Sequence, residues 1–328
     1  TQPDHPAPPV VNLGGNFVAY LRVWERHVIP EVDEALLEPA LGGPDTTTRT
    51  QTVWQLHLHQ LAGAIPDCEH IADALPDSGG AGFLRARSQP PDPTEDVCQV
   101  PPTAGYRRLE NQCYRVEIHR GSQSAGGPTF KWSRDNGSIV YPIERIEGGD
   151  RAVLEHLGRD DYRSLVEGDL VELIDDGVDL AQTAQPLSEV KQRKVADLEV
   201  TLDPVPAAGF PAHPHAYLRR WDHRDRPEVT IDAGAIVLQE DQWIPLESGV
   251  EVQFRTGGDY RTGDYWLIPA RTIMGDVLWP VDGQGDEASI FVEPHGTNRS
   301  TCALGTLTAG NFTDCRPTFP PLTELDNQ

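Results

Sequence analysis

Apolar residues recur at every second position in several short runs, and glycine and proline interrupt the chain between these runs. The 328 residues include 30 glycines and 29 prolines, too many for a helical bundle and too few for a disordered polymer. Alternation with a period of two places successive side chains on opposite faces of a strand. The pattern predicts a mainly β protein of several small antiparallel sheets, or barrel or sandwich modules, with one or two short helices.

One of these runs carries the aromatic and aliphatic residues Trp54, Leu56 and Leu58, which alternate with polar residues that include His57 and His59. All three apolar side chains fall on the same side of the predicted strand, and the two histidines fall on the other. We therefore expect the apolar side to face a core and the histidines to face solvent.

Two further local patterns predict secondary structure. Pro30 is followed by acidic residues, which favours a helix that starts there and runs to Leu41, where two glycines end it. The Asn136-Gly137 pair is typical of a type I′ turn and predicts a hairpin within an antiparallel meander at residues 114–146.

Composition suggests how the chain is organised. The Pro-rich segment 204–216 is the clearest candidate boundary, and the chain begins at Thr1 without an initiator Met, which indicates a start that is processed or cut from a longer chain. The predicted regions are a Pro-rich arm at 1–12, a strand and helix region with a long loop insertion at 13–113, a β meander with a small barrel-like module at 114–205, and a C-terminal β module with a Pro-rich strap at 206–328.

The formal net charge is −24, from 51 acidic and 27 basic residues. A chain this acidic repels nucleic-acid phosphates and anionic membrane surfaces, so we expect no nucleic-acid partner. No apolar run approaches the roughly 20 residues that a membrane span needs, so no membrane span is expected. The charge is explained most simply by solubility.

The five cysteines form no C-x-x-C pair, and their number is odd. A disulfide framework is therefore not predicted. Two bridges are compatible with the order of the residues, Cys68 with Cys98 and Cys302 with Cys315, and free buried thiols, with Cys113 among them, are an equal alternative.

Four potential zinc ligands, His57, His59, Cys68 and His70, lie within fourteen positions. Zinc accepts such nitrogen and sulfur ligands, but the spacing matches no standard zinc motif. The alternative is two solvent-facing histidines beside unrelated loop residues. An acidic turn that begins at Asp175 is a second candidate, for calcium, although it lacks the EF-hand pattern and is also explained as a solvated turn. The baseline expectation is that the chain needs no cofactor.

The segment FKWSRDNG is the most distinctive in the chain, and it supplies the candidate ligand-binding residues Trp132, Arg134, Asp135 and Asn136. An exposed tryptophan beside Asp and Asn binds sugars by stacking and hydrogen bonding. The alternative is a hairpin whose aromatic residues belong to the core and whose turn is held by an Arg134–Asp135 ion pair.

No G-x-S-x-G, Walker, H-E-x-x-H or G-x-G-x-x-G motif is present, which favours a protein without catalysis. One alternative is a secreted polysaccharide-acting enzyme or carbohydrate-binding protein with a Trp-lined acidic cleft, which for the enzyme predicts two carboxylates about 5–9.5 Å apart. Another is a metal-dependent hydrolase that uses His57, His59 and His70.

Several long phrases resemble an uncharacterised bacterial protein family associated with phage-tail-like contractile injection systems. The resemblance implies a structural or binding component of a particle or cell-surface assembly, located outside the cell or on the particle. We expect its partners to be other protein subunits, with copies of this chain or a glycan as further alternatives. The phrases occur here at Tyr20–His27, Ala40–Gln55, Tyr114–His119, Phe130–Ser138, Gly263–Arg271 and Cys315–Leu325.

Overall fold

A computed structural model of the chain shows that the alternating runs form antiparallel strands. The structure describes residues 2–6, 8–76, 82–89, 105–283 and 289–317. These residues contain several antiparallel sheets, a closed barrel and one six-residue α-helix. The prediction of a mainly β protein made of small sheets and a barrel is confirmed.

The elements of the described residues follow in chain order. The strands are β1 (Asn16–Val28), β2 (Arg49–Gln60), β3 (Leu84–Ser88), β4 (Gln112–Arg120), β5 (Thr129–Ser133), β6 (Val140–Glu147), β7 (Arg151–Leu154), β8 (Leu170–Ile174), β9 (Ser188–Lys194), β10 (Glu199–Asp203), β11 (Tyr217–Trp221), β12 (Ile231–Asp232), β13 (Ala235–Val237), β14 (Ile244–Pro245), β15 (Val250–Phe254), β16 (Tyr265–Arg271), β17 (Asp276–Val277), β18 (Arg299–Thr308) and β19 (Asn311–Asp314). The α-helix is α1 (Asp176–Ala181), and the 3-10 helices are Glu34–Leu36, Pro39–Leu41, Ile71–Ala74 and Val195–Asp197.

The chain divides into two compact units. The first unit consists of Thr1–Pro30, Ala35–Gly79 and Asn298–Gln328, and the second consists of Glu31–Glu34 and Gly80–Thr297. Described residues from both terminal regions therefore belong to the first unit, whose sheet has the strand order β19-β18-β1-β2.

The helix expected from Pro30 to Leu41 does not form. Only two 3-10 turns, Glu34–Leu36 and Pro39–Leu41, occur in this stretch. Pro39 explains the difference, because a proline inside a helix lacks the N–H donor and its ring clashes with the preceding turn. The helix prediction is therefore wrong.

The disulfide of the first unit joins Cys68 to Cys315 and connects the segment that follows β2 to the segment that follows β19. Neither predicted bridge forms, because each proposed one of these two cysteines with a different partner. Cys98 lies outside the described residues, and Cys302 has a free, exposed thiol. The two half-cystines are 247 positions apart, a separation at which sequence spacing carries no pairing information.

Strand β2 faces the opposite way from the prediction. Trp54 and Leu56 are 43% and 39% exposed, whereas Val53 is 0% exposed and packs on the side of its cross-strand neighbour Trp24. On that same side, Gln55 Nε2 donates a hydrogen bond to the carbonyl oxygen of Asp4 at 2.5 Å, so the N-terminal segment covers the inner side of β2. The expectation that the tryptophan and leucines face the core is wrong.

The second unit contains a barrel and a sandwich. The barrel is closed in the order β10-β7-β6-β11-β8-β9, and its interior is filled by residues such as Tyr141, Val171 and Leu218. The sandwich packs the six-stranded sheet β12-β13-β5-β4-β16-β17 against the three-stranded sheet β14-β15-β3, with Trp132 and Phe254 among its core residues.

The Pro-rich segment 204–216 lies within the barrel. It links β10 to β11, which are both strands of the barrel.

The Asn-Gly turn forms, but not within a hairpin. Asn136 and Gly137 both have positive φ, 56° and 64°, as a type I′ turn requires. The flanking strands do not pair as a hairpin, since β5 belongs to the sandwich and β6 to the barrel. The FKWSRDNG segment therefore connects the sandwich to the barrel.

Candidate functional site: a buried charge network

Strand β5 is buried on both of its faces. Phe130 and Trp132 lie in the sandwich core, and the period of two turns Thr129, Lys131 and Ser133 to the opposite face. These three polar residues are also buried. The lysine therefore lies on the side where the sheet meets the barrel.

Lys131 bonds to carboxylates from both parts of the second unit. Its Nζ donates to Glu172 Oε1 on β8 at 2.6 Å and lies 3.2 Å from Glu117 Oε1 on β4. Trp221 Nε1 on β11 donates to the other Glu172 oxygen at 3.0 Å, and the Trp221 ring centroid is 4.4 Å from Nζ. Arg115 donates to Glu117 Oε2 at 2.6 Å. We call Glu117, Lys131, Glu172 and Trp221 the lysine cluster.

Both carboxylates of the lysine cluster are held in the charged form. Burial favours the neutral acid, but the Arg115 and Lys131 cations outweigh it and keep the pKa of Glu117 at about 2. Burial opposes ionisation of Glu172 as well, and Lys131 again lowers its pKa below the usual range. The cluster is therefore charge-paired, with every carboxylate oxygen occupied by a donor.

Two buried histidines border the lysine cluster. Burial, followed by the charge of Lys131, lowers the pKa of His119 to about 4. Burial also lowers the pKa of His223 to about 4, although its Nε2 makes a 2.7 Å hydrogen bond with the carbonyl oxygen of Gly234. The Nδ1 atoms of both rings have no hydrogen-bond partner among the described residues. Both histidines are thus neutral at pH 7.

Arg134 makes a second link between sandwich and barrel. Its Nε and Nη2 donate to the two carboxylate oxygens of Glu247, in the sandwich, at 2.9 and 2.8 Å. Its Nη1 lies 3.1 Å from Asp222 Oδ1, directly after barrel strand β11, and its backbone N–H donates to Asp222 Oδ2 at 2.9 Å. The guanidinium pairs with these two acids instead of the expected Asp135, whose carboxylate lies 3.9 Å from Arg220.

The four predicted ligand-binding residues do not share an open surface. Trp132 is 1% exposed within the sandwich core, and the Arg134 guanidinium is engaged by two carboxylates. Asp135 is partly buried, and burial, followed by the nearby Asp222 carboxylate, raises its pKa. Asn136 is exposed at the turn. A sugar can reach Asn136 but not the tryptophan ring, so the placement matches the core alternative.

Replacing Arg134 by lysine is expected to lower the free energy of unfolding by about 2 kcal/mol, because an ammonium cannot reproduce the two-pronged bond to Glu247 while also reaching Asp222. Urea denaturation measures the change. The matched control is Arg163→Lys, whose surface partner Asp160 is half exposed, and it should leave the unfolding midpoint in place. Equal losses in both variants would contradict a linking role for Arg134.

Two of the predicted zinc ligands, Cys68 and His70, are engaged in other interactions. Cys68 is disulfide-bonded to Cys315 and has no thiolate to offer. His70 is exposed, and its Nδ1 lies 2.6 Å from Asp67 Oδ1, which raises the pKa of the ring. The proposed metal set therefore lacks its sulfur ligand in this structure.

The remaining two histidines lie on the inner side of β2. His57 Nε2 is 3.0 Å from Gln55 Oε1, and its ring stacks on Tyr20 and lies 5.0 Å from the His5 ring. Burial, then repulsion from His5, lowers the pKa of His57 to about 4. Within the described ranges, no three His, Cys, Asp or Glu side chains are grouped so that they could hold a metal ion.

The acidic turn proposed for calcium has a structural role. Asp175 is the N-cap of α1, and its Oδ1 accepts the Val178 N–H at 2.9 Å. Its Oδ2 accepts the N–H groups of Ala212 and His213 at 3.0 and 3.1 Å. The carboxylate therefore fastens the end of the Pro-rich segment to the barrel.

A hollow of about 420 Å³ opens beside the barrel and is lined in part by Leu187, Asp203 and Arg224. The Arg224 guanidinium already donates to Gly168 O and Asp169 Oδ1, at 3.0 and 2.8 Å. None of the predicted site residues lines this hollow, so it does not connect to the motifs that the sequence singles out.

Sequence reasoning did not single out the lysine cluster, yet a signal for it exists. Lys131 stands between two aromatic residues, and Glu172 stands inside the apolar run LVELI. A single charge within a short apolar strand indicates a strand that is covered on both faces, where the charge needs a buried partner.

These features define a two-unit, mainly β protein whose second unit contains a barrel and a sandwich joined by buried ion pairs. The chain belongs to the family of unknown function DUF6519, whose model matches residues 10–82 and 68–327. No curated protein and no solved structure matches the chain. Across the described part of the chain, no helix is long and apolar enough to span a membrane.

Proposed function

We propose that this chain is a structural or binding component of a bacterial phage-tail-like particle or cell-surface assembly, outside the cell or on the particle, and that it acts without catalysis. The observation that carries the proposal is an exposed apolar sheet face on the first unit. The phage-tail-like setting comes from the family resemblance of phrases such as FKWSRDNGS and GDYWLIPAR.

The exposed face follows from strand pairing. Val23 lies opposite Trp54, and Leu21 lies between Leu56 on one side and Cys302 on the other. Directly paired residues of antiparallel strands point to the same side of a sheet. We call this side of the β19-β18-β1-β2 sheet the outer face.

The outer face leaves large apolar side chains in water. Trp54 and Leu56 are 43% and 39% exposed, and Phe312 on β19, at the other end of the same side of the sheet, is 51% exposed. Soluble proteins rarely leave contiguous apolar patches of more than a few hundred Å² uncovered, and those that do mostly use them to bind another protein. The outer face therefore favours a protein subunit as partner.

The buried charges favour a scaffold over an enzyme. The carboxylates of Glu117 and Glu172 are each 8% exposed and share the Lys131 ammonium, so a polysaccharide cannot reach them. Arg134 is occupied in the same way by Glu247 and Asp222. These ionisable groups stabilise the joint between barrel and sandwich.

Co-sedimentation tests the proposal in a bacterium that produces the chain together with phage-tail-like particles. We expect the tagged full-length chain to pellet with the particles, and Leu56→Glu to lower the pelleted fraction by on the order of tenfold, since the charge would be buried on binding. The control Ile273→Glu changes an equally apolar side chain that is 96% exposed in the second unit, and it should pellet normally. Wild-type protein that stays in the supernatant would refute the particle role.

A further inference from the structure

We propose that Lys131 and Glu172 of the lysine cluster condense into an amide, which ties β5 of the sandwich covalently to β8 of the barrel. The reaction joins the side-chain nitrogen of the lysine to the side-chain carboxyl carbon of the glutamate and releases one water. It changes each chain once and turns over no substrate. The inference goes beyond the proposed function and does not depend on it.

The two reacting groups are in contact and shielded from solvent. Lys131 Nζ lies 2.6 Å from Glu172 Oε1, and the two side chains are 4% and 8% exposed. Groups that a fold holds in contact react as if at an effective concentration of about 10⁵–10⁸ M. The amide also replaces two buried charges by a neutral group, which removes their desolvation cost. Both effects favour a condensation that is unfavourable between the same groups in water.

Trp221 selects Glu172 as the acceptor. Its Nε1 donates to Glu172 Oε2 at 3.0 Å. A donor on this oxygen stabilises the negative charge that develops there when the amine attacks the carboxyl carbon. The Trp221 ring centroid lies 4.4 Å from Lys131 Nζ, so the ring also helps to exclude water from the reacting atoms. Oε1, the oxygen that contacts Nζ, is then the one that leaves as water.

Glu117 is placed to move the protons. Its Oε1 lies 3.2 Å from Lys131 Nζ, while Arg115 bonds to its Oε2 and holds the group in the charged form. Lys131 first gives one proton to Glu172 across their contact, which yields a neutral amine and a neutral acid. Glu117 takes a second proton from the attacking nitrogen and returns it to the Glu172 hydroxyl, which leaves as water. An ammonium and a carboxylate thus become an amide and water, and the net charge of the cluster is unchanged.

Lys191 and Glu189 form a matched comparison within the same chain. Lys191 Nζ also lies 2.6 Å from a carboxylate oxygen, Glu189 Oε2, but these side chains are 44% and 40% exposed. The nearest second carboxylate, that of Asp203, is 4.0 Å from Nζ. Water surrounds this pair and stabilises both charges, so we expect it to remain an ion pair.

The intact mass of the purified full-length chain, denatured and with its disulfide reduced, tests the proposal. We expect wild type about 18 Da, one water, below the mass that its sequence gives. Lys131→Arg should have its full mass, because a guanidinium keeps the charge but is not deprotonated to a nucleophile. Trypsin should release peptide 121–134 joined to peptide 164–191, with no cleavage after Lys131 and normal cleavage after Lys191.

Glu117→Gln separates proton transfer from packing. Near-UV circular dichroism should show a folded chain, and the linked fraction should fall at least about tenfold, because the amide cannot accept the proton. A Glu117→Gln chain that is linked as completely as wild type would overturn the role given to Glu117.

Two results would overturn the amide itself. One is a wild-type chain at its full mass, which decides the matter even if a variant fails to fold. The other is a water loss that persists in Lys131→Arg, as ring closure at Asp176-Gly177 would produce. Particle binding is measured separately by co-sedimentation, so an unlinked chain that pellets would reject the amide alone, and a linked chain that stays in the supernatant would reject the particle role alone.

Discussion

Replacing Lys131 by methionine is expected to lower the free energy of unfolding of the second unit by about 3–5 kcal/mol. Methionine matches the length of lysine but leaves the carboxylates of Glu117 and Glu172 buried without the cation that both contact, at 3.2 and 2.6 Å. The loss should appear as an earlier midpoint in urea, followed by tryptophan fluorescence, to which Trp221 beside the same site contributes.

Two further variants identify the cause of that loss. Lys191→Met removes a lysine of β9 that pairs with Glu189 at the surface, and it should leave the midpoint in place. In Lys131→Met, Glu117 keeps its ion pair with Arg115, whereas Glu172 loses the cation that it contacts. Adding Glu172→Gln removes the charge of Glu172 and should recover part of the stability, while the new amide still accepts the Trp221 N–H. A Lys131→Met protein that unfolds at the wild-type midpoint would contradict a stabilising role for the lysine cluster.

Acidification is expected to destabilise the second unit in two successive pH windows. His119 and His223 have a pKa of about 4 when folded, below the ordinary 6.5 of the unfolded chain, so the unfolded state binds more protons below pH 6.5. Their contribution to the free energy of unfolding is complete above pH 6.5. It is lost as the pH falls to 4, by about 3 kcal/mol for each ring. Glu117, with a pKa of about 2 against 4.5, loses its contribution between pH 4.5 and 2.

The loss of stability between pH 6.5 and 4 can be measured in the second unit itself by hydrogen exchange of the backbone amides of β4 and β5 at several pH values between 7 and 4. The double variant His119→Gln, His223→Gln should be much less sensitive to pH in this range, whatever its stability at pH 7. His70→Gln is the control, because that ring is exposed in the first unit, and it should leave the dependence unchanged. A double variant with the wild-type pH dependence would show that other groups cause the destabilisation.

The alternation of apolar and polar residues was sufficient to predict strands and to predict which side chains share one face of a strand. In β4, Tyr114, Val116 and Ile118 lie in the sandwich core as a set, and Arg115 and Glu117 lie on the other side. The same pattern could not reveal that this polar side is also buried, because the barrel residues that cover it, such as Glu172, are about 55 positions away in the chain. Long-range contacts of this kind leave no period in the sequence.

The candidate site was likewise predictable from the sequence only in its local features. The FKWSRDNG segment stands out as distinctive, and the positive φ of Asn136 follows from the preference of Asn-Gly for a type I′ turn. Whether Arg134 pairs with its neighbour Asp135 or with distant acids depends on where Asp222 and Glu247 are placed. The structure places both within about 3 Å of the guanidinium, so the segment is a joint between two folded parts.

By itself, the sequence determined that the chain folds into β-sheets and which side chains fall together on one side of each strand, since a period of two is a property of the backbone. Only the tertiary structure decided which side is covered. In β2, Val53 and Gln55 are buried and Trp54 is exposed, although tryptophan is the more apolar residue, because the N-terminal segment packs on the inner side. The same long-range packing joined Cys68 to Cys315, a pair that chain order does not indicate.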